Sequence, residues 1–219
     1  IIDIYGAITP RANFMSDYSG GASCNLLARD VQAALNNPMV EGILFSIDSP
    51  GGEVTGVSEL SALIKSAKDK KRTCAYVSGM GCSAAYWLAS ACGVIVADKT
   101  ARLGSIGVMA VYTDKSKALK NIGIEEVEFI SSQSPYKNAK PNTDEGKAKI
   151  QARIDSLAQV FVEDVAENMN VSVETVLSNF GQGDVLVGKD AVNAGLADEI
   201  GNFESALQIV SGQKQVERP

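Results

Sequence analysis

One serine lies in a glycine-containing segment whose residue types suit nucleophilic chemistry. The segment runs Gly79-Met80-Gly81-Cys82-Ser83, and the small and apolar residues after it predict a helix over residues 83–91. A serine in this place lies at a helix N-terminus, where the helix dipole and the free N–H groups stabilise negative charge on an oxygen. Serine is also a common N-cap residue, and this segment taken alone favours capping over catalysis.

A nucleophilic serine needs a base, and the 219 residues contain no histidine. A Ser-His-Asp triad, a Cys-His pair and a metal held by histidine are therefore excluded within this chain. Lysine becomes a general base when burial lowers its pKa toward neutrality. The polar loop predicted at residues 131–142 contains Lys137 and Lys140. The residues alone leave open whether either lysine is buried, since a loop lysine is usually solvated.

A pair of glycines follows the short apolar run at residues 42–47, which predicts a buried strand. The segment Asp48-Ser49-Pro50-Gly51-Gly52 is predicted to be a turn, in which the glycines let the backbone approach a ligand closely. Backbone N–H groups in such a turn can form an oxyanion hole. An ordinary turn between a strand and a helix explains the same residues, and the segment taken alone favours that interpretation.

Alternating strand and helix patterns predict an α/β fold with a mostly parallel sheet, which usually carries its sites at the carboxyl ends of strands. Apolar runs predict further strands at residues 1–5 (ended by Gly6), 74–77, 94–97, 107–111, 127–130 and 185–187, with a turn at 78–81. Periodic patterns predict helices at residues 25–36, 54–66, 115–121, 143–169, 189–194 and 203–210. Ser172 is predicted to cap another helix that ends at Gly181, and residues 16–23 are predicted to be a mobile loop. We expect one domain over residues 1–219, with an α/β core at 1–142 that carries these loops and a helical part at 143–219.

Composition and charge exclude several classes of protein. The net charge is -6 and the pI about 4.8, so a nucleic-acid-binding surface, which needs a basic footprint, is not expected. No apolar run reaches the length of a membrane span. The four cysteines show neither a C-x-x-C pair nor a framework spacing, which favours reduced core thiols in a cytoplasmic compartment over zinc or disulfides. Because Ile1 lies inside a predicted strand, we expect the chain to be a fragment.

Five segments carry a resemblance that covers nearly the whole chain. They are SIDSPGGEV at residues 46–54, CSAAYWLASA at 82–91, LGSIGVMAVYTD at 103–114, SPYKNAKP at 134–141 and VGKDAVNAGLADEIG at 187–201. Together they resemble the signal peptide peptidase A family of serine proteases, and within it most closely the capsid-assembly (prohead) proteases of tailed bacteriophages. The resemblance implies a ClpP/crotonase-like α/β spiral with a mainly parallel sheet and a helical C-terminal part.

The resemblance also implies catalytic roles. Ser83 matches the nucleophile, Lys137 matches the lysine base, and Ser105 matches a hydroxyl that orients the lysine. The reaction implied is hydrolysis of a peptide bond through an acyl-enzyme, and no cofactor or metal is expected. The absence of histidine agrees with this independently, because a hydrolase without histidine needs another base such as lysine.

The same resemblance implies where the oxyanion and the substrate bind. The backbone N–H groups of Gly52 and Ala84 match the oxyanion hole, with Gly51 adjacent to them. The substrate is expected to be an extended polypeptide that binds as an added strand. The implied substrate-binding residues are Glu53, Val54, Ile106, Gly107 and Val108.

Family members form closed rings, so we expect a ring-like or dome-like homo-oligomer in which neighbouring subunits complete the site. The apolar stripe of the helix predicted at 143–169 also needs a partner surface. For a phage-type enzyme the substrate would be a scaffold or portal-associated protein, and the location the host cytoplasm or the prohead. For the cellular type the substrate would be leftover signal peptides, with a membrane anchor only if an upstream segment supplies one.

Two other interpretations remain open from the residues. The pattern Gly79-x-Gly81-x-x-Ala84 follows a strand and opens a helix, and Asp98 ends the next predicted strand, as in domains that bind NAD. The helix between them is short, and no histidine is available for hydride chemistry. A scaffold that keeps the fold without catalysis is the second alternative. The presence of both Ser83 and Lys137 argues against it.

Overall fold

The computed structural model describes residues 1–12, 20–138 and 140–216. The chain divides into two compact units. The first, here called the sheet unit, comprises Ile1–Gly107 and Gln159–Pro219, and the second, the 108–158 unit, comprises Val108–Ala158. Of the mobile loop predicted at residues 16–23, residues 16–19 lie outside the described residues. The expectation of one domain over residues 1–219 stays a prediction.

A mainly parallel sheet forms the framework of the sheet unit. Its described strands are β1 (Ile2–Thr9), β2 (Ala22–Ser23), β3 (Gly42–Gly52), β4 (Arg72–Cys82), β5 (Val94–Ala97), β6 (Arg102–Gly104), β7 (Val185–Val187) and β8 (Glu199–Ile200). They run in the order β2-β1-β3-β4-β5-β8, and all neighbours on this path are parallel. β6 pairs in parallel with the end of β4, and β7 pairs antiparallel with β6. This arrangement confirms the predicted α/β fold.

The helices follow the predicted ones within three residues at their N-terminal ends. They are α1 (Cys24–Asn36), α2 (Val57–Lys68), α3 (Ala84–Ser90), α4 (Ser116–Asn121), α5 (Asp144–Met169), α6 (Val173–Asn179), α7 (Lys189–Asn193) and α8 (Phe203–Val210). The predicted cap of α6 is confirmed, because the Ser172 side chain accepts a hydrogen bond from the Thr175 N–H. Among the helices described, none combines the length and the apolar character needed to cross a membrane.

Alternate residues of the central strands face two separate cores. Ile43, Phe45 and Ile47 of β3 belong to the larger core, to which α2, α3 and the C-terminal part of α5 contribute. Leu44 belongs to the smaller core, together with Cys74 of β4 and residues of α8. Because side chains alternate across a strand, α3 and α8 lie on opposite faces of the sheet. Burial on both faces is typical of parallel sheets and explains the continuous apolar runs in the sequence.

β1 continues past Gly6, where the sequence predicts its end. Gly6 has a φ of +65°, and the register of β1 on β3 shifts between Tyr5 and Ala7. A glycine at positive φ absorbs a local irregularity without ending the strand. The predicted end of the first strand is therefore wrong.

The two glycine-containing segments are strand and not turn. β3 includes residues 48–52 after a register shift between Ile47 and Ser49. β4 includes residues 78–82, because its end pairs with β6, a short strand that the residue pattern does not predict. Both predicted turns are wrong for the same reason: pairing with distant residues continues the strand through glycines that locally favour a turn.

The strands predicted at residues 107–111 and 127–130 are also wrong. In the described part of the 108–158 unit, the chain forms α4 and the first part of α5 but no strand. Val111, Val127 and Phe129 are exposed by 80%, 70% and 92%. An apolar run becomes a strand only when its backbone groups pair with a neighbour, and the described residues of this unit supply none.

Candidate active site

Ser83 alone connects β4 with α3. Cys82 ends the strand and Ala84 begins the helix. Ser83 has φ 52° and ψ -125°, a region that residues with side chains rarely adopt. Such a conformation costs about 1–3 kcal/mol and persists where the surrounding structure enforces it. Here the Ser83 N–H donates to the Gly104 carbonyl at 2.8 Å, which ties the turn to the end of β6.

The Ser83 hydroxyl makes no capping hydrogen bond with α3. The capping role that the segment alone favours is therefore wrong. The side chain is half-buried, so it remains within reach of solvent and of a ligand. A serine that is held in a strained strand-to-helix turn, and that does not cap the helix, has the arrangement of a nucleophile.

Gly51 lies directly against this turn. A Cβ built on Gly51 would lie 2.7 Å from the Ser83 Cβ, 2.8 Å from the Cys82 carbonyl oxygen and 3.0 Å from the Ala84 nitrogen. The φ of Gly51 is +98°, which also favours glycine. Only a residue without a side chain lets β3 approach the Ser83 turn this closely, which explains Gly51. A side chain on Gly52 would instead collide with the Ile8 backbone of β1.

The strand register separates the two glycines as oxyanion donors. Gly52 pairs with Ile8 of β1, and the Glu53 N–H donates to the Ile8 carbonyl at 2.9 Å. Because successive N–H groups of a strand point to opposite sides, the Gly52 N–H points away from β1, to the side on which β4 lies. The Gly51 N–H instead donates to Ser49 Oγ at 3.1 Å. Gly51 as an oxyanion donor stays a prediction, with Gly52 the better placed of the two.

Ala84 supplies the other predicted N–H group. As the first residue of α3 it has no acceptor for its N–H within the helix. The helix dipole places partial positive charge at this end. An oxygen that carries negative charge beside Ser83 would therefore meet a favourable field. The structure thus places Gly51 and Ala84 at the Ser83 turn, at the ends of β3 and β4. The oxyanion hole formed by Gly52 and Ala84 stays a prediction.

Ser105 follows β6 as Ser83 follows β4. Cys82 and Gly104 are register partners, so the two serines come directly after paired residues. Ser105 also has a positive φ of 51°, and its N–H donates to the Asp184 carbonyl at 2.8 Å. The structure therefore places Ser105 beside the Ser83 turn. Its predicted role in orienting the lysine stays a prediction.

The two candidate lysines differ in their contacts. Lys140 Nζ lies 3.6 Å from a carboxylate oxygen of Glu128, and the Asn138 amide donates to the same carboxylate. No ion pair of Lys137 occurs among the described residues, and its side chain is exposed. Its N–H donates to the Ser134 carbonyl at 3.0 Å, which closes a turn of the loop. Lys137 as the base stays a prediction.

Ser83 belongs to the sheet unit, whereas Lys137 belongs to the 108–158 unit. Within its own unit, Lys137 lines a cavity of about 1260 Å³ together with Lys140 and Lys149. The ring of Tyr136, the residue before Lys137, lies under the Lys149 ammonium, with 3.6 Å between Nζ and the ring centroid. The contact between Tyr136 and Lys149 thus connects the loop that carries Lys137 to α5.

The predicted substrate-binding residues lie in two places. Glu53 is exposed and Val54 half-buried directly after β3, while Ile106 is buried and Gly107 half-buried after β6. The first pair follows the glycines of β3, and the second pair follows Ser105. Val108 is the first residue of the 108–158 unit. These assignments stay predictions.

Two site residues are missed by the sequence reasoning. The Gly104 carbonyl holds the Ser83 N–H, and the Asp184 carbonyl holds the Ser105 N–H. Gly104 has a φ of +113°, and a Cβ there would lie 2.8 Å from the Asp184 carbonyl oxygen. Gly104 in the sequence could indicate that the backbone is closely approached at this point. The partner is the backbone carbonyl of Asp184, just before β7, and a sequence pattern does not reveal a contact made by a backbone carbonyl.

Cys82 precedes the candidate nucleophile but is a poor competitor for its role. Burial raises the pKa of the Cys82 thiol, which donates to the Arg102 carbonyl at 3.4 Å. A thiol that stays protonated reacts slowly as a nucleophile. All four cysteines are free and buried, which confirms the predicted core thiols.

The NAD-binding interpretation is not supported. It requires a glycine-rich turn between strand and helix, whereas Gly79 and Gly81 lie inside β4. The space over Gly79 is taken by the Asp48 side chain, which accepts a hydrogen bond from the Met80 N–H at 2.9 Å. Asp98 accepts hydrogen bonds from the N–H and hydroxyl of Thr100, and these lower the pKa of its carboxyl.

Comparisons with known proteins show the family of this chain. Residues 65–217 match Peptidase family S49. The chain is 33% identical over 213 residues to capsid assembly protease C of Escherichia phage lambda, which covers 96% of this chain and 48% of the relative. It is 30% identical over 215 residues to head-tail preconnector protein GP5 of Enterobacteria phage P21, which covers 96% and 42%.

A cellular relative is also similar along the whole chain. The chloroplastic serine protease SPPA of Arabidopsis thaliana is 24% identical over 220 residues, which covers 99% of this chain and 32% of the relative. The chain spans about half the length, or less, of the curated relatives that it matches. The resemblance seen in the sequence motifs is confirmed, together with the ClpP/crotonase-like α/β fold that it implies. With the family match covering most of the chain and the Ser83 turn in place, the chain belongs to peptidase family S49.

Proposed function

We propose that this protein is a serine endopeptidase that hydrolyses extended polypeptides with a Ser83–Lys137 dyad. The observation that carries the proposal is the Ser83 turn. The Ser83 hydroxyl does not cap α3, and the Ser83 backbone is strained. Gly51 lies so close to this turn that a side chain at position 51 would collide with Ser83. The family supports a peptidase in general, and the Ser-Lys chemistry is inferred from the resemblance of the sequence motifs.

The proposed reaction proceeds through an acyl-enzyme. Neutral Lys137 accepts the proton of the Ser83 hydroxyl as the serine oxygen bonds to the carbonyl carbon of the substrate. The N–H groups of Gly52 and Ala84 stabilise the oxyanion. Protonated Lys137 then gives its proton to the leaving amine, and the peptide C–N bond breaks. Water attacks the resulting ester with Lys137 again as base, which releases the acid and restores Ser83.

Lys137 can act in this way only when water is removed from around it. Its side chain is exposed to solvent in the single chain. We propose that a second copy of the chain covers the 108–158 unit and completes the dyad. This unit carries many exposed apolar side chains, which mark interaction surfaces when they cluster. They include Met109, Val111, Tyr112, Ile122, Ile124, Val127, Phe129 and Tyr136.

The two phage relatives suggest a substrate class. One of them is a capsid assembly protease and the other a head-tail preconnector protein. We propose a scaffold or portal-associated polypeptide as substrate, bound as a strand beside Glu53, Val54 and the segment 106–108. The action of this chain would then take place in the host cytoplasm or the prohead. A signal-peptide remnant is the alternative substrate that the cellular relative SPPA suggests.

Substitution of Ser83 tests the proposed function. Ser83→Ala should abolish hydrolysis of an unfolded polypeptide such as casein and leave the fold intact, since no capping bond is lost. Ser66→Ala is the matched control, because this exposed serine of α2 bonds only locally to the Leu63 carbonyl. Hydrolysis at the unsubstituted rate by Ser83→Ala would remove the nucleophile assignment.

A further inference from the structure

Trp87 lies one helical turn after Ser83, where α2, α3 and the C-terminal part of α5 meet in the sheet unit. The Trp87 N–H donates to the Ser83 carbonyl at 3.0 Å and so closes the first turn of α3. The Trp87 side chain is 1% exposed. Its ring stacks on Phe161 of α5, with 4.3 Å between centroids and 7° between planes. The place of this ring therefore decides where the first turn of α3, and with it Ser83, can lie.

A carboxylate holds the edge of the Trp87 ring. Asp164 Oδ2, on the same part of α5, accepts a hydrogen bond from Trp87 Nε1 at 3.0 Å and another from Ser58 Oγ of α2 at 2.7 Å. An indole has one N–H to donate, and a bond to a carboxylate is stronger than one between neutral groups. Stacking on Phe161 alone would let the Trp87 ring slide parallel to the Phe161 ring. The hydrogen bond to Asp164 prevents this sliding.

Asn168, one turn further along α5, makes the second polar contact. Its Nδ2 donates to Ser61 Oγ of α2 and to Ser90 Oγ of α3, both at 3.0 Å. Ser90 Oγ in turn donates to the Trp87 carbonyl at 2.7 Å. Asn168 is 4% exposed. Buried polar groups are costly unless they are hydrogen-bonded. These bonds therefore favour the observed alignment of the three helices over shifted alignments that would break them.

The remaining contacts of α3 are mostly apolar. All seven of its residues are buried, and four of them are alanine or leucine side chains that give no direction to the packing. The Tyr86 hydroxyl donates to the Leu196 carbonyl at 3.1 Å on another side of the helix. Directional contacts between α3 and α5 therefore come from Trp87 with Asp164 and from Ser90 with Asn168.

We propose that Asp164 is a positioning residue for Ser83 and acts through Trp87. The inference rests on the proposed function, in which Ser83 is the nucleophile. Loss of the Asp164–Trp87 bond lets α3 shift and moves Ser83 Oγ relative to the Gly52 N–H. A misplacement of about 1 Å can lower a reaction rate by about 100-fold. The expected signature is slow chemistry with little change in the affinity for a reagent.

The test measures how fast a fluorophosphonate probe modifies Ser83 in the full chain, with the limiting rate constant separated from the half-saturating probe concentration. Asp164→Ala and Trp87→Phe remove the bond from its two sides, and Trp87→Phe keeps an aromatic ring on Phe161. Asp164→Asn keeps an oxygen that can accept from the indole. Asn202→Ala is the stability control, since it removes the cap of α8 on the opposite face of the sheet.

Asp164→Ala and Trp87→Phe should each lower the limiting rate constant by about 10- to 100-fold, with the half-saturating concentration changed less than about threefold. The double variant should be no slower than the slower single variant, and Asp164→Asn should recover most of the rate. Asn202→Ala should lower the melting temperature and leave the rate unchanged.

Two results would overturn the inference. If Asp164→Ala labels Ser83 at the unsubstituted rate, the positioning role is wrong and the proposed function stands; should that variant not fold, the rate of Trp87→Phe decides in the same way. If the unsubstituted protein gives no adduct on Ser83, the proposed function fails and this inference fails with it.

Discussion

Replacement of Gly51 by alanine tests how closely β3 must approach the nucleophile turn. The new Cβ would lie 2.7 Å from the Ser83 Cβ, and relief to an ordinary contact of 3.4 Å needs a shift of about 0.7 Å. The φ of +98° adds backbone strain of about 1–2 kcal/mol, and overpacking adds about 1–3 kcal/mol. We expect the free energy of unfolding to fall by about 2–5 kcal/mol.

The same shift should displace Ser83 and lower the rate of casein hydrolysis by at least about 10-fold at a temperature where the variant is folded. Urea denaturation gives the stability, and the hydrolysis rate is measured on the same samples. Gly20→Ala is the matched control, because Gly20 also has a positive φ of +75° but no atom of the described residues within 4 Å of the added Cβ. It should lose only the strain and keep its rate. If Gly51→Ala matches Gly20→Ala in stability and rate, the close approach to Ser83 is not required.

Three further predictions follow from the contacts of the lysines, the cysteines and the exposed apolar residues. Lys137→Ala should abolish casein hydrolysis, whereas Lys140→Ala, which removes the ion pair with Glu128, should keep it. The reverse pattern would transfer the role of base to Lys140. Burial raises the pKa of the Cys74 thiol from 9.0 to about 12. Because the thiol therefore ionises first in the unfolded chain, the free energy of unfolding should fall as the pH rises between these two values. Urea denaturation of Cys74→Ala over the same pH range should show a smaller fall. Light scattering should show that the protein is an oligomer, and its specific activity should fall on dilution as the oligomer dissociates. A monomer whose specific activity stays constant on dilution would contradict the proposal that a second copy of the chain completes the dyad.

The helices, including the one that begins after Ser83, could be predicted from the sequence because they depend on local residues. The stripe of α5, for example, follows from the spacing of Ile150, Ile154, Leu157 and Phe161. Ser83 could be located because a glycine-containing segment precedes it and small residues follow. The roles of Ser83 and Lys137 came from the family motifs, since Ser83 alone favoured capping.

The strand ends could not be predicted, because they depend on pairing between distant residues. Glycines at 51–52 and 79–81 favour turns locally, yet β1 and β6 pair with them and continue the strands. In the 108–158 unit the opposite happens, since apolar runs there lack a pairing neighbour among the described residues. The contact of Asp164 with Trp87 joins residues 77 positions apart, and no local pattern indicates it.

The most direct test of the central claim is to map the adduct that a serine-directed phosphonate forms on the protein. After digestion, mass spectrometry of the peptides identifies the modified residue. The account predicts one adduct, on Ser83, that is absent from Ser83→Ala and much reduced in Lys137→Ala. Modification of another serine, or equal modification of Ser83→Ala, would contradict the assignment of Ser83 as the nucleophile.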